Sequence, residues 1–403
     1  MVGILGIVLF ALGIAASIAL HEAGHLAVAR ACGMRVRRYF IGFGPTVWST
    51  TRGHTEYGVA ALPFGGFCDI AGMTAQDELT PDEEPRAMYK KPWWQRVAVM
   101  SGGIVMNLLI GVVITYLVAV LAAIPNPYAD RTPTIGELAC TSDQVDAETL
   151  APCTGQGPAA EAGLRPGDKV LAVDDQGVVA FTDLRDYVMA RPGETVAVEV
   201  ERDGEPLTVD VNVDSVTRLD PGSGQEFQAG AIGVTSAPVK DAMRQFGPVE
   251  AVPATLRFTG QMLEATVDGL IAFPSKIPGV VASIFGQERD VTGPVSVIGA
   301  SRAGGELVEQ DLWSVFWMLL ASLNFFLALF NLVPLPPLDG GHIAVVLYEK
   351  LRDMIRRLSG LGPGGPADYQ KLMPLTYAMA AALLAVGVFV MVADVVNPIR
   401  FGG

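Results

Sequence analysis

Four apolar stretches of near-bilayer length constrain this chain more than any other feature of it. They cover about residues 3–30, 94–124, 312–333 and 375–396, and a helix needs about 20 such residues to cross the hydrocarbon core. Inside lipid every backbone N–H and C=O must find its partner within the segment, so each stretch has to be helical. Helices alone do not account for the chain. Of its 403 residues 50% are hydrophobic and 17% charged, a balance that also requires a folded aqueous part. The net charge of −14 argues against nucleic-acid binding, which needs clustered Lys and Arg for phosphate contacts. The first stretch lacks a basic start and runs into His21-Glu22 without a polar break, unlike a cleaved signal peptide.

Charge placement orients the stretches. Arg30, Arg35, Arg37, Arg38, Arg52, Arg86, Lys90, Lys91 and Arg96 lie between the first and second, and Lys350, Arg352, Arg356 and Arg357 follow the third. By the positive-inside rule both segments are cytoplasmic. The middle stretch, about 125–310, is rich in acids and is expected outside. Four cysteines are too few for a disulfide framework, but Cys140 and Cys153 are close enough in this outer stretch to pair there.

Within it, residues 158–213 read as an α+β domain. A turn-rich loop from Pro158 to Asp168 leads into a strand at Lys169–Val173, and Thr182 or Asp183 caps a short helix ending near Ala190. Val196, Val198 and Val200 alternate, Arg202-Asp203-Gly204 turns, and Leu207, Val209, Val211 and Val213 alternate again. The order, and above all the run EAGLRPGDKVLAVD, resembles a bacterial PDZ domain. That resemblance implies a sheet edge for an extended peptide and a nest of backbone amides for its carboxylate, here at Ala162, Gly163 and Leu164. A rigid spacer that binds nothing is the alternative. Residues 241–290 mix apolar and charged positions between Pro248, Pro253, Pro274 and Pro278, and are expected as surface-lying helical pieces.

The chemistry is concentrated in two motifs. His21-Glu22-Ala23-Gly24-His25 puts two imidazoles four residues apart, on one face of a helix and within reach of one ion. Zinc accepts neutral histidine nitrogen and, in catalytic sites, keeps a position for water. Glu22, beside the first ligand, is suited to take a proton from that water. Ionisable groups at membrane depth are costly and usually functional, which argues against a coincidental match. A third ligand is required. Asn331-Leu-Val-Pro334-Leu-Pro-Pro337-Leu338-Asp339-Gly340-Gly341-His342 offers Asp339 behind helix-breaking prolines. His342 is expected to be structural or a donor behind the ligands, and His54 an ordinary loop histidine.

HExxH on the first helix, NxxPxxxLDG in a later one and a PDZ insert between them resemble the site-2 protease family, close to its bacterial members with a single PDZ domain. The resemblance implies regulated intramembrane proteolysis with one Zn2+ per chain, held by His21, His25 and Asp339, with Glu22 catalytic and Asn331 contacting substrate or the oxyanion. It implies a multi-pass cell-membrane protein with the active site towards the cytoplasm. Its substrates would be single-pass membrane proteins, such as anti-sigma factors already trimmed by an upstream site-1-type protease. Ser101 to Asn107 resembles the family's GxxxN element, read here as helix packing by Gly103 and an interhelical hydrogen bond by Asn107. Gly42 to Gly66 resembles its membrane-associated β-hairpin, whose edge would take an unwinding substrate.

The resulting expectation is a mainly α integral membrane protein with four transmembrane helices, an inserted α+β PDZ domain and a small membrane-associated β region. Helix 1 with HEAGH takes 1–30, a cytoplasmic-side β region and loop 31–92, and helix 2 93–124. The extracytoplasmic PDZ domain with its flanks takes 125–240 and an amphipathic connector 241–310. Helix 3 with the LDG motif takes 311–345, a cytoplasmic loop 346–372, and helix 4 with the tail 373–403. A non-proteolytic metal-binding PDZ scaffold is the rival reading, which leaves Glu22 without a purpose. A zinc transporter fits poorly with one ligand set and a peptide-binding domain.

Overall fold

The HEAGH motif sits two-thirds of the way along α1 (Val2–Ala31), a 30-residue helix about 45 Å long. This computed structural model describes residues 2–146, 149–220, 225–287, 289–290 and 292–399. The terminal residues 400–403 of the expected tail lie outside them. The described chain forms two units, one of Pro125–Arg244 and one of the flanking segments.

In the flanking unit α1 packs against α2 (Trp93–Leu121), α6 (Val297–Glu309) and α7 (Trp313–Leu332). Small residues set the closest approaches, as van der Waals packing within lipid demands. A Cβ on Gly24 would collide with the Gly102 carbonyl of α2, and one on Gly6 would lie 2.9 Å from Gly305 of α6. Towards the start of α1, Phe10 and Ile14 form a buried cluster with Phe316 and Leu320, the Phe10 and Phe316 rings meeting edge-on at 5.3 Å.

Between α1 and α2, strands β1 (Val36–Arg52) and β2 (Thr55–Ile70) are long and bent. Residues 36–41 therefore pair with 66–70 and also with 56–59, while 46–52 pair with 55–60. The segment 66–70 lies on the α1 side of this sheet, where a Cβ on Gly66 would come 3.2 Å from Glu22 Cγ.

Two segments differ from the sequence expectation. Within the connector, the proline-punctuated part is one helix, α5 (Pro248–Ile284), running through Pro253, Pro274 and Pro278, and α6 follows it. Each proline removes one hydrogen bond without forcing a break where its neighbours hold the helix. Counting α5, five helices among the described residues are long and apolar enough to cross a membrane by length and composition; the others are α1, α2, α7 and α9 (Met373–Val396). Secondly, α7 ends at Leu332, and Asp339 opens a new helix, α8 (Asp339–Leu358), that runs into the first half of the expected cytoplasmic loop. Its anchor is a buried ion pair between Arg96 Nη1 and Glu349 Oε2 at 2.5 Å, and Glu349 also accepts the Ala367 N–H.

The second unit holds β3 (Ile135–Leu138), α3 (Pro158–Glu161), β4 (Lys169–Val173), β5 (Gln176–Gly177), α4 (Phe181–Met189), β6 (Thr195–Arg202) and β7 (Glu205–Asn212). Strands β5, β4, β6 and β7 form an antiparallel sheet in that order. The alternating valines supply its core, with Val170, Val196, Val198, Val200 and Val211 fully buried. The turn joining β6 and β7 uses Asp203 and Gly204 at φ 53° and 87°, the positive values a two-residue hairpin requires. The α4 N-cap is Ala180, and Asp183 caps from inside the helix by accepting the N–H groups of Val179 and Ala180. A hairpin of β8 (Asp214–Leu219) and β9 (Glu226–Ala231) follows, and β10 (Val234–Ser236) pairs with β3. Cys140 and Cys153 form a disulfide.

Candidate metal centre

His21 and His25 lie one turn apart on the buried stripe of α1 that faces α2. Their rings meet edge-on at 4.9 Å and bring the two Nε2 atoms 3.2 Å apart. Asp339 Oδ2 lies 3.2 Å from His21 Nε2 and 3.3 Å from His25 Nε2. It is buried, and no N–H or O–H among the described residues donates to it. These residues are also the one group of three or more His, Cys, Asp or Glu side chains among the described residues able to share an ion.

The donor set fits zinc. Four ligands at about 2.0–2.1 Å from a tetrahedral ion are about 3.3–3.4 Å apart, close to the spacings among these three atoms. A buried carboxylate oxygen that accepts no hydrogen bond among the described residues, 3.2–3.3 Å from two imidazole nitrogens, also suits a cation between them. His25 Nδ1 donates to the Val99 carbonyl at 2.8 Å, which leaves its Nε2 lone pair free for a metal.

Local sequence makes the convergence possible. A Cβ on Gly103 of α2 would lie 2.5 Å from His25 Nε2 and 2.6 Å from His21 Nε2, so only glycine lets α2 pass over the donors. Behind Asp339, a Cβ on Gly340 would overlap the carbonyls of Leu332 and Val333, and one on Gly341 would lie 2.7 Å from Pro336 N. The pair of glycines therefore allows α8 to start against the end of α7. As the first residue of α8, Asp339 also places its negative charge at the positive end of the helix dipole. Glu22 is half-buried, lies against the β2 edge and is not in the donor cluster.

Comparison with known proteins agrees with this chemistry. The model of peptidase family M50 matches residues 9–360. The chain belongs to peptidase family M50, the family of the site-2 proteases. The "Zinc metalloprotease Rip1" of Mycolicibacterium smegmatis is 48% identical over 98% of both chains. The protein of the same name in Mycobacterium tuberculosis is 47% identical over 99% of both. A putative zinc metalloprotease of Nostoc is 29% identical over 84% of this chain and 85% of its own. Among solved structures, a PDZ domain from Listeria monocytogenes matches at 18% identity, covering 27% of this chain and 90% of that chain, with a TM-score of 0.18.

Of the residues that the family resemblance singled out, the structure brings His21, His25 and Asp339 together and sets Glu22 beside the β2 edge. Asn331 is half-buried on the last turn of α7. His342 stacks on Tyr369 at 5.8 Å and lines a 1040 Å³ cavity with Pro334, Pro337 and Met373. His54 is exposed at the β1–β2 turn. At the expected peptide nest, the N–H groups of Ala162, Gly163 and Leu164 donate to the carbonyls of Pro158, Ala160 and Ala159, and the Leu164 side chain is buried in the core. The Gly163 carbonyl accepts from Arg202, which also pairs with the buried Asp168. A concave surface of this unit, 330 Å³, runs between Phe181, Leu184 and Val188 of α4 and the 230–235 segment. Asn107 makes an interhelical hydrogen bond, as its place in the GxxxN element suggested, but the identity of its partner, His21, was not anticipated.

Proposed function

We propose that this chain is a zinc metalloendopeptidase that hydrolyses peptide bonds in or near the transmembrane segments of single-pass membrane proteins. The observation that carries the proposal is the triangle of His21 Nε2, His25 Nε2 and Asp339 Oδ2, with sides of 3.2–3.3 Å, built on a helix long and apolar enough to cross a membrane. A bound zinc ion supplies a Lewis acid and lowers the pKa of water. Glu22 takes a proton from the attacking water and passes it to the leaving amine. A helical substrate hides its carbonyls, so it must first unwind. The 66–70 edge beside Glu22 is suited to pair with the extended stretch and to satisfy its freed backbone groups. Asn331, on the last turn before the Asp339 loop, would donate its amide to the developing oxyanion.

The proposal includes four membrane spans. The first turns of α5 pack Ala251, Ala254 and Phe258 on Val118 and Ala119 near the end of α2, and its last turns pack Val280 on Val390 and Ala393 near the end of α9. Because α2 and α9 both run opposite to α1, both ends of α5 belong on the side where α1 begins, and α5 lies along the membrane surface. The basic segments put α8 and the metal site towards the cytoplasm. The disulfide supports an oxidising, extracytoplasmic setting for the 125–244 unit, read as a PDZ domain. Its peptide groove is then the α4 surface. Trimmed anti-sigma factors, cut first by a site-1-type protease, are the substrate class this reading favours.

The test uses purified protein and its Glu22→Gln variant in proteoliposomes with a panel of single-pass membrane proteins. Cleavage by the parent and none by the variant, both with one zinc per chain, is the expected outcome. Equal activity in the two would refute the mechanism.

A further inference from the structure

The two histidine ligands are held differently. His25 is fixed by a backbone carbonyl, that of Val99, which can only accept. The Nδ1 of His21 meets a side chain instead, the Asn107 amide of α2, one turn beyond Gly103. Asn107 is 1% exposed, so water cannot stand in for a missing partner. Its Nδ2 lies 3.1 Å from His21 Nδ1, while its Oδ1 is buried and has no hydrogen-bond partner among the described residues.

A neutral imidazole carries one proton. If Nε2 is to give its lone pair to a metal, the proton is on Nδ1, and Nδ1 must then donate. An amide N–H facing it is the wrong partner, and an amide oxygen is the right one. A half-turn of the Asn107 amide supplies that oxygen and removes the orphaned acceptor in the same step.

We infer that Asn107 is a positioning residue for the metal centre: its Oδ1 accepts the Nδ1–H of His21, fixing the tautomer and ring plane that present Nε2 to zinc. The inference rests on the reading of His21 as a zinc ligand. Asn107 touches neither substrate nor metal and acts through His21 alone. It therefore does more than join α1 to α2. A packing role requires only its volume, whereas a positioning role requires an acceptor at that point.

Leucine and aspartate separate the two roles. Asn107→Leu keeps the volume and removes the acceptor, and Asn107→Asp keeps the acceptor and removes the N–H. Zinc affinity of the purified full-length protein in detergent is measured by competition with a chromophoric chelator, and the visible spectrum of the cobalt-loaded form reports ligand geometry. Removal of an outer partner of a histidine ligand weakens metal binding by about 10–100-fold. N107L is expected to lose affinity on that scale with an altered cobalt spectrum, and N107D to stay within about threefold of the parent. The opposite order, with N107L like the parent and N107D impaired, would overturn the inference. So would loss in N107D matching that in N107L, a comparison that holds even where N107L is poorly folded. His21→Ala is the control for the underlying reading: if it binds zinc like the parent, His21 is no ligand and the zinc-centre reading fails first. Loss in His21→Ala with parent-like N107L refutes the role of Asn107 alone.

Discussion

Substitution of Gly103 by alanine is the sharpest test of how the metal centre is built. The new methyl carbon would lie 2.5 Å from His25 Nε2 and 2.6 Å from His21 Nε2 and Cε1. Relaxed contacts lie at about 3.5 Å, so α2 or the rings must give by about 1 Å. Retreat of α2 is opposed by the Gly24–Gly102 contact beside it and by the Arg96–Glu349 pair at its start. Overpacking of this kind costs about 1–3 kcal/mol. If expelling the metal lets the rings move and relieves that strain, zinc affinity falls by about 5- to 150-fold. A 1 Å displacement of reacting groups removes a further factor of about 100 in turnover. Chelator competition measures the first quantity, and cleavage of a tagged single-pass substrate in proteoliposomes the second. Gly260→Ala on α5 is the matched control, since a Cβ there meets nothing within 4 Å; it should bind zinc and cleave like the parent. Parent-like affinity and turnover in Gly103→Ala would refute the reasoning.

Asp339→Asn should insert normally but bind zinc more than about 100-fold more weakly, because it loses a charged ligand rather than an outer partner; unchanged zinc content with full activity would remove Asp339 from the site. Replacing Cys140 and Cys153 together by serine should destabilise the 125–244 unit by about 3 kcal/mol on the chain-entropy argument for a loop of this length. Proteolysis of that unit in denaturant reads the change, and an unshifted midpoint would count against a structural bond. Glu83 is held down to about 2, from 4.5, chiefly by its two hydrogen bonds to the Arg37 guanidinium. Because its folded value is depressed, its stabilisation is present above pH about 4.5 and lost as the pH falls towards 2. Glu83→Gln should loosen the 36–90 region at neutral pH and flatten its acid dependence in that window, as limited proteolysis would show; an unchanged acid profile would contradict the pairing.

Much of the site was legible in the sequence because helix geometry is local. The four-residue step from His21 to His25 fixes two imidazoles on one face whatever the helix packs against, and the LDG turn marks where a carboxylate breaks out of a helix. The alternating valines at 196–200 and 209–213 and the Asp203-Gly204 turn likewise specify a hairpin without reference to the rest of the chain. The misreadings came where local signals were outweighed. Four prolines suggested a broken connector, yet Pro248 opens α5, and neighbouring hydrogen bonds and packing at both ends keep the helix continuous through the other three. The basic residues after Asp339 read as a loop, although a buried partner for Glu349 on α2 holds them helical. The loop sequence at Ala162–Leu164 does not show that its three amides donate to the carbonyls of Pro158, Ala160 and Ala159.

What the sequence alone determined, then, is the chemistry available: two imidazoles, a base beside them, a carboxylate after a proline-rich turn, and helices to hold them in a membrane. Tertiary structure alone decided how those groups are used. The Val99 carbonyl that fixes His25, the Asn107 amide against His21 and the glycine that admits α2 over the donors come from another helix, 74 to 86 residues away along the chain for the two hydrogen bonds. No periodicity encodes such partners, because they arise only when two helices approach to backbone contact and leave each buried polar atom one neighbour to choose.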